Sequence, residues 1–152
     1  MPQSLARVYL HIVFSTKGRI PWLKDATLRS ELYAYMATVL RDNVQSPAIK
    51  IGGVEDHVHV LLTLNRSFAI KDVVQHMKTE TSKWIKRQTE GATEFAWQTG
   101  YGAFSVSQSN VPKVVQYIGN QEEHHRQLSF QDEFRDFCKR HELEIDERYV
   151  WD

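Results

Sequence analysis

The sequence predicts an α+β fold built on an antiparallel sheet, and three observations carry that prediction. Two short runs, Val8–Ser15 and His57–Leu64, are rich in β-branched and aromatic residues, the side chains that suit a pleated surface. Two longer segments, Asp25–Leu40 and Ile70–Arg87, space their apolar residues three and four apart, the repeat of an amphipathic helix. The elements follow the order strand, helix, strand, strand, helix, strand, with further helices behind them. That order is the ferredoxin-like βαββαβ arrangement, with additional C-terminal helices.

Each element has its own local reason. Val8–Ser15 reads VYLHIVFS, and Pro21 with Trp22 separates it from the first helix. That helix presents Leu28, Leu32, Tyr35, Met36 and Val39 along one side. Pro47 opens a second strand through Ile49 and Ile51; Glu55 and Asp56 turn the chain into His57–Leu64. The second helix carries Ile70, Val73, Val74, Met77, Trp84 and Ile85. Gly100 and Gly102 mark a loop entering a short strand, Ala103–Val106. A third helix is expected over Val111–Leu128, capped by Ser109 or Asn110, with Pro112 in its first turn. Gly119 sits inside it at a cost of about 1 kcal/mol relative to alanine. A fourth helix is expected over Phe130–His141. Helices packed on one face of the sheet would leave the other face available for a site.

A chain of 152 residues fits one domain, residues 1–152, on a prior of about 150 residues per domain. Its 41% hydrophobic and 25% charged residues suit a globular protein. No apolar run approaches the roughly 20 residues that span a bilayer. The start, Met1-Pro2-Gln3-Ser4-Leu5, lacks the basic-then-apolar pattern of a secretory leader. Cys138 is the only cysteine, which excludes an internal disulfide. A cytoplasmic location is the expectation. The net charge is zero, yet Glu122–Asp152 holds ten acidic against five basic residues, and Lys71–Arg87 holds five basic against two acidic. Such a basic helix either follows a phosphate backbone or is simply a solvated face.

Two groups of residues point to chemistry. His57 and His59 are two apart on a strand, so they project from one face, with Leu61 and Thr63 in line and Val58, Val60, Leu62 and Leu64 toward the core. Paired imidazoles can ligate one divalent ion; the alternative is two half-exposed histidines without a metal. Tyr117 and Gln121 are four apart on the third helix and share a face beside its apolar stripe of Val111, Val114, Val115 and Ile118. Taken alone, Tyr117 reads as a packing residue with a wet hydroxyl rather than as a nucleophile.

Four blocks, in order, carry a more specific signal: Tyr9–Lys17 (YLHIVFSTK), Gly53–Leu62 (GVEDHVHVLL), Trp97–Ser107 (WQTGYGAFSVS) and Tyr117–His125 (YIGNQEEHH). Together they resemble the single-tyrosine transposases of small bacterial insertion sequences and their repeat-associated relatives, members of the HUH nuclease superfamily. The resemblance implies that His57 and His59 bind Mg2+ or Mn2+ and that Gln121 adds a third ligand through its amide oxygen. It implies that Tyr117 attacks a DNA phosphodiester, forming a 5′-phosphotyrosine and freeing a 3′ hydroxyl. It further implies single-stranded or hairpin DNA as partner, and a homodimer whose subunits exchange the tyrosine helix and share active sites.

The chemistry is sensible for these residue types. A phenol with an ordinary pKa near 10 is a weak nucleophile at neutral pH, and a metal beside the phosphate would assist it. The chain has no G-x-x-x-x-G-K-[ST] loop and needs no nucleotide triphosphate. Lys17, Arg19, Lys78, Lys83 and Arg87 are the candidate phosphate contacts. Trp97, Tyr101 and Phe104 are candidates for base stacking or, more in keeping with their type, for packing. His124 and His125 read as DNA-contacting or structural, and no general base is evident. The competing readings are a catalytically idle hairpin-binding module, a water-using metal hydrolase, and a replication or plasmid-transfer initiator. The hairpin recognised, the cleavage site, the preferred metal, and a mobile-element versus a host role are not encoded in recognisable form.

Overall fold

The computed structural model describes residues 3–152; Met1 and Pro2, which open the segment read as lacking a leader, lie outside them. The chain runs β1 (Tyr9–Ser15), α1 (Ala26–Val44), β2 (Ala48–Gly53), β3 (His57–Thr63), α2 (Ile70–Gln88) and β4 (Gly102–Val106). Beyond β4 come α3 (Val111–Gly119), α4 (Gln121–His124) and α5 (Phe130–Arg140). The sheet order is β2-β3-β1-β4, and every neighbouring pair is antiparallel. This is the split arrangement expected from the sequence.

β1 is central and buried from Leu10 to Ser15, which is why its apolar run is continuous rather than alternating. On one face Leu10, Ile12, Phe14, Val58, Val60 and Leu62 meet Leu32, Met36 and Leu40 of α1 and Val73, Val74 and Met77 of α2. α1 begins where the Asp25 carboxylate accepts from the Thr27 amide, a cap whose loss typically costs about 1 kcal/mol. It runs past Leu40 because Val44 is buried in the same core.

The structure corrects two expectations. The helix expected over Val111–Leu128 is broken: α3 ends at Gly119, and Asn120 leaves the helical basin (φ −102°, ψ 21°). Its amide is shared between the carbonyls of Gln116 and Tyr117, at 3.1 and 3.3 Å. Asn110 occupies the N-cap position of α3, as expected, but without a side-chain capping hydrogen bond; a 3-10 turn, Gln108–Asn110, runs straight into the helix.

The second correction concerns the other face of the sheet, which is covered. Phe130, Phe134, Phe137 and Cys138 of α5 pack there against Val13 and Phe104. The three phenylalanines are spaced four and three apart, one stripe of a helix. Gly102 makes the seat, since a Cβ there would lie 2.7 Å from the Phe134 ring.

Candidate active site and metal centre

Between the sheet and α5 lies a buried polar cluster. β3 contributes His57 and His59, whose register partners on β1 are Ser15 and Val13. Both histidines are 0% exposed, so neither is the half-exposed strand histidine that the sequence left open. Each ring is anchored through its outer nitrogen. His57 Nδ1 lies 2.7 Å from Asp56 Oδ1, and His59 Nδ1 lies 2.8 Å from His11 Nε2. Both rings therefore turn Nε2 toward a common space, which is how histidine ligands are oriented by their outer partners. Gln121 Oε1 enters the same space, 3.2 Å from His57 Nε2. Two imidazole nitrogens and an amide oxygen make a donor set that fits a divalent ion.

α3 brings Tyr117 to this cluster. The helix lies directly on β2, where a Cβ on Gly52 would stand 2.6 Å from the Ile118 carbonyl oxygen. Only glycine at that position lets α3 approach so closely. The Tyr117 ring centroid is 5.7 Å from that of His59, and its hydroxyl is 3.3 Å from His124 Nε2. The break at Asn120 carries Gln121 inward, where it is buried. Tyr117, His57, His59 and Gln121 thus meet within one chain. Tyr117 is half-buried and borders a groove of about 800 Å³ lined also by Lys113, Gln116, Asn120 and His124.

The residue that sequence reasoning missed is Glu133. It projects from α5 into the centre of the cluster and is 2% exposed. Its Oε1 lies 2.9 Å from His59 Nε2 and 3.5 Å from His57 Nε2. Its Oε2 lies 3.2 Å from His125 Nε2, and the same oxygen accepts from the Tyr117 hydroxyl. A signal was present: Glu133 falls three after Phe130 and four before Phe137, a carboxylate in the middle of an apolar stripe.

The electrostatics follow from this placement. Burial disfavours a charged His57, but hydrogen bonds to Asp56 and Glu133 outweigh it and push the imidazole up to about 9. Burial dominates at His59, pulling it down to about 4, and at His11, pulled down to about 3 by burial and by His59. Burial also acts against the Glu133 carboxylate, yet hydrogen bonds from His125, His57 and His59 hold it far below the usual carboxylate range. Burial, and then the Glu133 charge, drive the Tyr117 phenol well above its ordinary value. In this closed arrangement the phenol stays protonated.

The candidate phosphate contacts lie elsewhere. None of them lines the groove beside Tyr117. Lys17, Lys83 and Arg87 are exposed, with Lys83 3.9 Å from Glu80. Arg19 donates to the Trp151 carbonyl at 3.1 Å. Lys78 donates to the carbonyls of Gln98 and Gly100, at 2.7 and 2.6 Å, so its ammonium is engaged in holding the 98–100 loop. Trp97 and Phe104 are packing residues; Trp97 Nε1 donates to Thr81 Oγ1, and Phe104 stacks on Phe137. Tyr101 remains exposed, with the Lys78 ammonium 5.8 Å from its ring centroid.

Comparison with known proteins gives a family and a fold. The family described as "Transposase IS200 like" matches residues 4–121. No curated protein is significantly similar to the chain. Among solved structures, a chain described as a transposase from Deinococcus radiodurans R1 superposes with a TM-score of 0.60 at 19% identity, covering 78% of this chain and 93% of that one. A REP-associated tyrosine transposase bound to a REP hairpin superposes with a TM-score of 0.60 at 12% identity, covering 81% of this chain and 72% of that one. At these identities the likeness is one of fold. The family match stops at Gln121, so His124, His125 and Glu133 lie beyond it.

Proposed function

The chain belongs to the IS200-like transposase family, and from that premise we propose that it cuts and rejoins single-stranded DNA through a covalent bond to Tyr117. The observation that carries this reading is the convergence of Tyr117 with His57, His59 and Gln121 in one site. The Tyr117 hydroxyl oxygen attacks the scissile phosphorus; a tyrosyl–phosphate bond forms, the bond to the 3′ oxygen breaks, and a 3′ hydroxyl leaves. The phenol gives up one proton and the departing oxygen gains one, so the exchange needs no other reactant. His57, His59 and Gln121 would hold the ion, Mg2+ or Mn2+, whose contribution when bound is to polarise the phosphate.

Two features of the chain control access. His57 and His59 have no exposed surface, so DNA reaches them only when α5 moves off the sheet. While Glu133 accepts from Tyr117, its charge opposes formation of the phenolate. Lifting α5 removes both obstacles at once. The DNA partner we propose is a hairpin with flanking single strand. One solved structure of the same fold is of a protein bound to a REP hairpin, which supports that choice. A homodimer would pair through β4, an edge strand of the sheet. Within one chain α3 brings Tyr117 to His57, His59 and Gln121, and mixing two inactive variants separates this cis site from the exchanged helix implied by the resemblance.

The test is to incubate the full chain with Mn2+ and hairpin oligonucleotides bearing single-stranded flanks, labelled on the 3′ side. A denaturation-resistant adduct should form, and peptide mapping should place it on Tyr117. Cleavage without an adduct would instead indicate a water-using hydrolase, and binding without cleavage an idle hairpin-binding module.

A further inference from the structure

We propose that, in the closed arrangement without DNA, His125 and Glu133 are ligands of the same ion as His57 and His59, so that the ion fastens α5 over the sheet until DNA displaces that helix. This rests on the metal reading of His57, His59 and Gln121 given above, and extends it to residues outside the family-matched stretch.

Spacing is the first argument. One donor atom from each of His57, His59, His125 and Glu133 can be chosen so that all lie within 4.8 Å of one another. His57 Nε2 and His125 Nε2 are 3.0 Å apart, His59 Nε2 and Glu133 Oε1 2.9 Å, and His125 Nε2 and Glu133 Oε2 3.2 Å. Neighbouring donors about 2.1 Å from a common ion, at right angles, stand about 3.0 Å apart. These three neighbouring pairs stand at the donor–donor spacing of a coordination shell.

Orientation is the second. His125 Nδ1 lies 2.6 Å from the Leu128 carbonyl oxygen, which can only accept. Nδ1 therefore carries a proton, and on binding an ion the ring would present the Nε2 lone pair toward His57 and Glu133. His57 and His59 also have their outer nitrogens engaged, by Asp56 and His11. Three imidazoles with engaged outer nitrogens and convergent inner ones are what a metal centre requires.

Charge is the third. Glu133 is a buried carboxylate, and a buried anion needs a compensating charge, which without an ion falls to the neighbouring His57 imidazolium. A divalent ion at the convergence point supplies it while leaving the imidazoles neutral. Three imidazoles with a carboxylate favour a first-row transition ion over Mg2+, which prefers oxygen donors and retains water.

The test uses the full chain, stripped of metal by chelation, titrated with Mn2+ by calorimetry and with Co2+ by absorption. Glu133→Gln and His125→Ala should each weaken Mn2+ binding by at least about tenfold. Each should also shift the Co2+ ligand-field bands. Mn2+ should slow amide exchange along α5 in the wild type but not in Glu133→Gln. Thermal melts of the metal-free variants check folding, and His125→Ala carries the test where Glu133→Gln is unfolded. Equal or tighter Mn2+ binding by the folded variants overturns the inference while leaving the His57–His59 site standing. Weaker binding with unchanged Co2+ bands overturns it too, because the two residues then only orient the ligands. A wild type that binds neither ion overturns both this inference and the metal reading beneath it.

Discussion

Glu133 accepts a hydrogen bond from the hydroxyl of Tyr117, sixteen residues before it in the chain. The proposed nucleophile is thus held by an acid that arrives on a helix folded across the sheet. Phe137 anchors that helix, stacked on Phe104 and edge-on to Tyr117. Phe137→Ala should loosen α5, a change that typically costs about 3–5 kcal/mol in a packed core. Cleavage by this variant, assayed below its melting temperature, should be faster than wild type. A slower or equal rate in a folded variant would show that α5 is not the barrier to DNA.

Tyr117→Phe removes one hydroxyl and keeps the ring against His11, His59 and Phe137. Covalent adduct should disappear, while hairpin binding measured by fluorescence anisotropy stays within a few-fold of wild type. A normal adduct yield would remove Tyr117 from the nucleophile's role.

His57→Ala and His59→Ala should each abolish divalent-ion-dependent cutting, because both rings direct Nε2 at one point. Chelation of the wild type should do the same, with activity returning on addition of Mn2+. Cleavage at an unchanged rate in excess chelator would end the metal reading.

Tyr117 meets His57 and His59 of its own chain, so a mixture of Tyr117→Phe and His57→Ala should stay inactive. Every site built in cis retains one defect, even in a confirmed heterodimer. Partial recovery of cleavage would show the exchanged helix implied by the family resemblance.

Lys78 and Lys83 should behave differently from each other. Lys83→Ala, like Arg87→Ala, should flatten the salt dependence of DNA binding by about one unit of slope for each phosphate no longer neutralised. Lys78→Met should instead cost stability, on the order of 1 kcal/mol, through its carbonyl partners. Burial pulls the Lys78 ammonium from 10.5 down to about 8. Between those values the folded chain binds fewer protons than the unfolded one. Wild-type stability should therefore rise relative to Lys78→Met as the pH climbs from about 8 to 10.5. Denaturant melts across that window check the sign; a difference that does not change with pH would contradict it.

The order of β1, α1, β2, β3, α2 and β4 was readable because strand and helix periods are local patterns. The shared face of His57 and His59 follows from the same period of two. The four sequence blocks pointed to Tyr117 and Gln121 before any coordinates, through resemblance rather than periodicity. Periodicity failed at Asn120, where a helical pattern continues through a break that turns Gln121 inward. It failed again for Lys78, whose carbonyl partners are twenty or more residues away.

The sequence by itself determined the element order and the histidine face, which depend on neighbours within a few residues, and pointed to the candidate nucleophile through four blocks spread along the chain. The tertiary structure alone decided that α5 covers His57 and His59 and that Glu133 sits among His57, His59, His125 and Tyr117. Those outcomes depend on which apolar stripe docks on which sheet face. That choice is made by long-range burial and by the space that Gly52 and Gly102 leave open, and no local periodicity records either.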